Sequence, residues 1–521
     1  MRTPLALLTT FVLVSSAHSA DLVVEDIFGR RLNEHGLTLV DWEGEIANPA
    51  IRFYITPPVD AAFPAEVVLT SDEPRVYFNL PGEIGPNGPR KVVKFTTRER
   101  MPVLASIFGD RDGEDRDLAL QLEFEDAACR KQSLSLPCHV IDHDRKNQKP
   151  FPILVDFSQD RTGFFKDETK RQVVAQAAQD WADFFEPIPF DESPAGAERT
   201  LIWSPEGFKN ARTVVNAQPF TGYLLYAYGI ESSEIRSGGE PSRMGALQSQ
   251  NGKRLFIHRS GGVEIETRGN YNTKGWMVSL APADFWKATN LSPVSNDLYS
   301  IAHHEIGHSL IFNPANPLFE KAKANGKFTD ASIKEYFGAD LTIDRSDHLR
   351  GAVDPASRRG AYGNEYYGDM PYCRWQITKL DLLVAKAVGW QLRATSAFAP
   401  LQLQTQALPA GAVGKEYASN LTASGGVPFY FWQVTAGALP AGLKLDSFTG
   451  AITGVPTKPG VFDLTIRVRD YDEKSSGLTR SLRLEIEAQS AKARPPDSMS
   501  YCPIFDSTAS RHRPQLSRET R

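Results

Sequence analysis

Cysteine is scarce in this chain, with 4 in 521 residues. That excludes a small disulfide-built scaffold, in which cysteines are far denser. An excess of charge of one sign is also lacking. The net charge of −5 gives no basic surplus for phosphates, which excludes nucleic acid as a partner. Past residue 20, no stretch approaches the roughly eighteen consecutive apolar residues of a membrane helix, so no span is expected in the mature chain.

What is there suits a protein that buries real cores: 41% apolar and 23% charged residues. The length predicts three or four domains, and 35 prolines with 39 glycines point to β-rich, turn-rich architecture. Residues 1–20, MRTPLALLTTFVLVSSAHSA, have the form of a signal peptide. Arg2 supplies the positive region, Leu5 to Val14 the short apolar run, and Ala17, Ser19 and Ala20 the small residues at the cleavage site. The expected location is secreted, extracellular or at the cell surface, the periplasm included. Export permits disulfides, and Cys129 and Cys138 in CRKQSLSLPC read as a hairpin staple. Such a closure stabilises by about 3 kcal/mol. Cys373 and Cys502 are left unpaired.

Residues 21–145 show short alternating runs (IRFYITPP, EVVLTS, RVYFNL, KVVKFTT, LALQLEF) separated by turn formers, the pattern of an antiparallel β-sandwich. The acidic run Asp110 to Asp117 has its glycine, Gly113, at the wrong place for a calcium-hand loop and reads as a solvated turn. From 146 to 391 the texture is α+β. FPILVDFS predicts a strand, and KRQVVAQAAQDWADFFE a helix with Val174, Ala177, Ala178, Trp181, Phe184 and Phe185 on one face. RTLIWS and GWMVSL predict strands, and ITKLDLLVAKAVGW a closing helix ended by Gly389. Residues 392–400 read as a linker, 401–488 as a second β-sandwich, and 489–521 as a disordered tail.

The chemistry sits in SIAHHEIGHSLIFNP, residues 300–314. Two histidines at i and i+4 on a helix project the same way and can share an ion. Imidazole suits zinc, and a catalytic zinc needs three protein ligands plus an open position. A glutamate beside the first histidine faces that position and can take a proton from water. His304, His308 and Glu305 satisfy this grammar, whereas His303 points about 100° away from His304. Ile301, Ile311 and Phe312 make the helix amphipathic, with the histidine face turned inward. The short zinc-protease signature would continue with glycine and a third histidine at positions held here by Ile311 and Pro314. The helix is therefore expected to end near Asn313-Pro314. Candidates for the third ligand are Glu320, Glu335, Asp344, Asp347 and His348, the last 40 positions after His308.

On these residues, with GNEYYGDMPY downstream, the chain resembles a metzincin-type zinc endopeptidase of the leishmanolysin-like branch, whose third histidine is displaced by an insertion. The resemblance implies Zn2+ as cofactor and His304, His308 and His348 as ligands. It further implies Glu305 as the base, Met370 as the floor beneath the metal, and Tyr372 as a catalytic tyrosine near it. The match spans about 245 residues and is specific at the motif. Residues 401–488 resemble an Ig-like module of the dystroglycan or cadherin-like type, through GALPAGLKLDSFTGAITGVPTKPGVFDLTIRVRD. Within it, Arg469 to Glu473 is similar to a cadherin calcium loop, on one weak motif.

The expected fold is thus multidomain, an α+β zinc-protease domain flanked by an N-terminal β-sandwich and a C-terminal Ig-like β-sandwich. The expected partners are a protein or peptide substrate and a surface or matrix ligand of the Ig-like domain. Two alternatives stand beside the endopeptidase: a non-catalytic adhesion protein with a degenerate metal domain, and a zinc hydrolase of non-peptide substrates.

Overall fold

The computed structural model describes residues 21–44, 46–83, 88–145, 151–187, 192–204, 207–231, 238–241, 248–250, 253–255, 258–268, 276–280, 296–344, 347–361, 374–472 and 475–488. The leader, the tail, Met370, Tyr372, Cys373 and Cys502 lie outside these residues.

The N-terminal alternation folds as a two-sheet sandwich. One sheet orders Val23–Asp26, Ile51–Thr56, Met101–Ile107 and Val76–Asn79; the other orders Leu37–Asp41, Lys131–Asp142, Arg116–Asp126, Ala65–Ser71 and Arg90–Phe95. Period-2 side chains face inward, as with Ile51, Phe53 and Ile55 opposite Val67 and Leu69 in one core. One pairing departs from the antiparallel expectation: Leu37–Asp41 runs parallel to Lys131–Asp142.

The disulfide expectation is overturned. Cys129 and Cys138 are both free thiols. Cys129 sits in the turn beyond the pair Glu125↔Lys131, while Cys138 lies far along the ladder opposite Leu118. At about 3.4 Å per residue that separation is roughly 24 Å, and a disulfide needs Cα atoms within about 7 Å. The hairpin is closed by backbone pairing instead. The Asp110 to Asp117 turn is neutralised from inside: Arg75 and Arg116 both bond Asp110, and Arg116 also pairs with Asp112.

In the middle region Ile153–Asp156, Tyr223–Ile230 and Ser260–Glu266 run parallel, with Gly238–Pro241 added antiparallel at the edge. Helix Glu168–Asp183 starts on Asp167, whose carboxylate accepts the Thr169 N–H at 2.9 Å. Its face of Val174, Ala177, Ala178 and Trp181 shares a core with the motif helix, Leu298–Leu310, which is buried along its whole length. Gly307 permits that approach, since a Cβ there would stand 3.2 Å from the Trp181 ring. The closing helix, Lys379–Ala387, opens with a Thr378/Asp381 capping box and stops before Gly389, at φ 110°.

The C-terminal module packs Trp432, Ile452, Leu464, Ile466 and Val468 in its own core, between a sheet of Gly411–Ala412, Leu478–Glu487, Gly460–Arg469 and Phe431–Ala436 and a sheet of Tyr417–Asn420, Ala451–Gly454 and Leu443–Leu445. It docks on the N-terminal sandwich. Phe28 stacks on Phe431 at 4.8 Å, and the buried Arg30, paired with Asp26 at 3.0 Å, donates to the Tyr471 hydroxyl at 3.1 Å. Asp470 accepts the Val427 N–H at 2.9 Å and Tyr471 enters the sandwich core, so these two residues of the weakly calcium-loop-like stretch serve packing, while Glu473 lies outside the described residues. Residues 392–400 are held rather than free: Ser396 N–H donates to Glu43 at 2.9 Å, and Lys379 to the Ala397 carbonyl at 2.6 Å.

Candidate metal centre

The motif helix begins at Asp297, whose carboxylate accepts both the Ser300 N–H, at 3.3 Å, and its hydroxyl, at 2.6 Å. Arg374 grips the same carboxylate through two bonds of 2.9 Å. Trp375 follows, donating its N–H to Ser300 at 2.9 Å and setting its ring against His304 at 5.0 Å. At the far end the helix stops at Leu310, short of Asn313-Pro314. The Asn313 amide donates to the His308 carbonyl at 2.9 Å, and Trp390 to the Leu310 carbonyl at 3.0 Å. Tyr223 from the central strand bonds the Ser309 hydroxyl at 2.8 Å. Both ends are thereby fixed, and with them the direction of the histidine face.

The segment after the helix carries the chain away and back. Helices Pro317–Ala324 and Ala331–Phe337 alternate with strands Lys327–Phe328, Leu341–Ile343 and Leu349–Arg350. His348 stands at the turn between the last two, its N–H donating to Asp344 at 2.9 Å and its carbonyl accepting the Asp344 N–H at 3.0 Å.

The result is a triangle of imidazole nitrogens. Nε2 of His304, His308 and His348 lie 3.1, 3.2 and 3.3 Å apart. His308 Nδ1 donates to the Phe312 carbonyl at 2.8 Å, so its Nε2 carries a lone pair into the triangle. Burial, reinforced by the neighbouring His348, lowers the His308 pKa to about 4, keeping the ring neutral near pH 7. Burial lowers His348 as well, against the pull of Asp344. A tetrahedral ion with nitrogens at about 2.0–2.1 Å spaces them about 3.3 Å apart. The donor set and its spacing therefore fit zinc. The His348 side chain, 20% exposed, marks the open edge of the site; His304 is 4% and His308 9% exposed.

Glu305 is buried on the motif helix, about 60° round the axis from His308. Of the other candidates for third ligand, Glu320 and Glu335 face solvent, Asp347 pairs with Lys323, and Asp344 holds the His348 backbone. Among the described residues none of these joins the histidines.

His303 turns the other way, onto the wholly buried Asp180 at 2.5 Å, and Tyr299 OH donates to the same oxygen at 2.6 Å. Burial pushes the Asp180 carboxyl up, but His303 and then Arg111 outweigh it and leave the carboxyl below the usual range. Sequence reasoning missed Asp180, Asp297, Arg374 and Trp375. Asp180 left one trace, an acid beside Trp181 in the apolar arc of its helix.

The family model described as "Putative Ig domain" matches residues 399–484, and it supports the Ig-like reading of the C-terminal module. No curated protein matches the chain. Among solved structures, a "putative alpha-galactosidase" of Bacteroides fragilis is 24% identical, with 17% of this chain and 18% of that one covered, at a TM-score of 0.15. The protocadherin GammaB4 extracellular domain is 10% identical over 87% of this chain and 65% of its own, at 0.17. The chain spans 18% of the length of each alpha-galactosidase structure it matches. Superpositions this poor bear on neither activity nor fold.

Proposed function

We propose that the chain is an exported zinc-dependent endopeptidase of metzincin type. The observation that supports it most is the triangle of His304, His308 and His348 nitrogens, 3.1–3.3 Å on a side, beside the buried Glu305. The three histidines hold the ion. A bound zinc supplies Lewis-acid polarisation of a carbonyl and makes water more acidic. Glu305 takes the proton of the attacking water and returns it to the leaving amine as the peptide bond breaks. Burial of His304 and His308 keeps bulk solvent from two sides, and a substrate would reach the ion past the partly exposed His348. The leader-like residues 1–20 motivate export, and the docked Ig-like module is the surface for a matrix or cell-surface ligand.

The test pairs metal content with turnover. Protein purified without chelators should hold about one zinc per chain. Glu305→Gln should keep the zinc and lose roughly 10²-fold or more of its activity on unfolded protein substrates. A well-folded protein without zinc sinks the reading. Zinc retained with no cleavage across a broad panel of unfolded proteins redirects it to a non-peptide substrate or to a binding role.

A further inference from the structure

We propose that the N-terminal sandwich is a permanent working part of this metal centre, with Arg111 acting as a positioning residue for the motif helix. The inference rests on the zinc reading for its consequence, but its geometry is independent of it. Arg111 belongs to the acidic turn between strands Met101–Ile107 and Arg116–Asp126, in a different domain from the histidines. Its guanidinium leaves that turn and bonds Asp180 Oδ1, while the same nitrogen lies 2.9 Å from Asp183. Both acids are on helix Glu168–Asp183.

Asp180 is the hub. Its Oδ1 also accepts the Gln176 amide at 2.7 Å, and its Oδ2 takes Tyr299 and His303 from the motif helix. Trp181, the next residue, donates to the His303 carbonyl at 2.9 Å. Tyr299 and His303 lie on the side of the motif helix turned away from His308. The bonds to Asp180 therefore set the rotation of the helix about its axis, and rotation decides whether His304 and His308 meet His348. Arg111 completes this arrangement by bringing positive charge to a carboxylate with no exposure to water. The surrounding join is continuous. Val40, Trp42 and Ile46 of the sandwich lie in the core that holds the motif helix, and Ala47 N–H donates to the Ile377 carbonyl at 2.7 Å. A removable pro-segment would take part of that core with it.

The experiment uses the full chain with Arg111→Met, Arg111→Lys and, as a control in the same turn, Arg116→Met, whose pairs stay inside the sandwich. Two readouts apply: the rate of zinc release to a chromophoric chelator, and hydrogen exchange of residues 300–310 in zinc-free protein. Arg111→Met should release zinc about tenfold faster and exchange faster in the motif helix. Arg111→Lys should fall between it and the parent, and Arg116→Met should match the parent. Equal effects of Arg111→Met and Arg116→Met, or no effect of Arg111→Met on either readout, overturn the proposal. If Arg111→Met does not fold, Arg111→Lys decides, and parental values for it overturn the proposal. If the parent binds no zinc, the zinc reading fails, while the exchange comparison still judges Arg111.

Discussion

Among the described residues, two clusters bring three ligand-type side chains within 4.8 Å of one another: His304, His308 and His348, and Asp41, Asp110 and Asp142. They are built on opposite principles. Burial holds His308 and His348 toward the neutral form, His308 turns its Nε2 lone pair inward, and the cluster brings no cation of its own. The carboxylates come with theirs: Arg75 bonds Asp110 and lies 3.6 Å from Asp41, and Arg116 reaches Asp110 at 3.2 Å. Convergence of ligand atoms is thus a weak sign of a metal site until the countercharge is counted. On the zinc reading an ion takes the centre of the histidine cluster; the acidic one has arginines in that place.

The largest expected effect sharpens the first half of the comparison. His348→Ala removes one vertex of the triangle and should weaken zinc binding by on the order of 10²-fold or more, since loss even of partners behind a ligand costs 10–100-fold. Chelator competition measures it, and parental affinity in that variant would deny His348 its place. Added ions test both clusters together. Zinc at about 1,000 times its dissociation constant should stabilise stripped protein by about 4 kcal/mol, whereas millimolar calcium should leave its unfolding midpoint unmoved. A calcium-dependent rise would show that the arginines do not close the acidic cluster.

Arg75→Met attacks the second half. Arg75 is 3% exposed and bonds Asp110 and Glu73, so the variant leaves partly buried acceptors short of a partner. Because burial already raises Asp41 and Asp110 toward the protonated form, the loss should be about 1–3 kcal/mol in urea unfolding. A loss below about 1 kcal/mol would mean that water or Arg116 neutralises the cluster.

Much of this was legible in the sequence, for physical reasons that differ by region. Periodicity exposed the helix with Val174, Ala177, Ala178 and Trp181, because one face meets a core. Helical spacing brought His304 and His308 together, because i and i+4 are local. His348 could be nominated only among alternatives, since its approach depends on the fold of the intervening 39 residues. Arg111 was hidden in a run that reads as a solvated turn, because nothing local shows that one guanidinium in it crosses to another domain. Cys129 and Cys138 misled for a related reason: nine positions apart in sequence says nothing about strand register, which carried one of them up the ladder.

The smallest effect concerns what the arginines leave unbalanced. Burial, then the charges of Asp142 and Asp110, raise the Asp144 pKa to about 7, although its carboxylate accepts the Gly44 N–H at 2.6 Å. Asp41 and Asp110 are raised as well, chiefly by burial. A folded-state pKa above the ordinary carboxylate value means that the native chain holds a proton the unfolded chain releases. The associated stability is complete below about pH 4 and is lost as pH rises through about 7. Asp144→Asn keeps a carbonyl acceptor for Gly44 and removes the charge. It should therefore match the parent in urea unfolding near pH 4.5 and exceed it by about 1–2 kcal/mol near pH 8, a figure already reduced for solvent screening of a half-buried group. A gain of the same size at both pH values would assign the effect to packing or hydrogen bonding. Asp144 would then carry no excess charge, and the arginines would balance the acidic cluster as fully as an ion would balance the histidines.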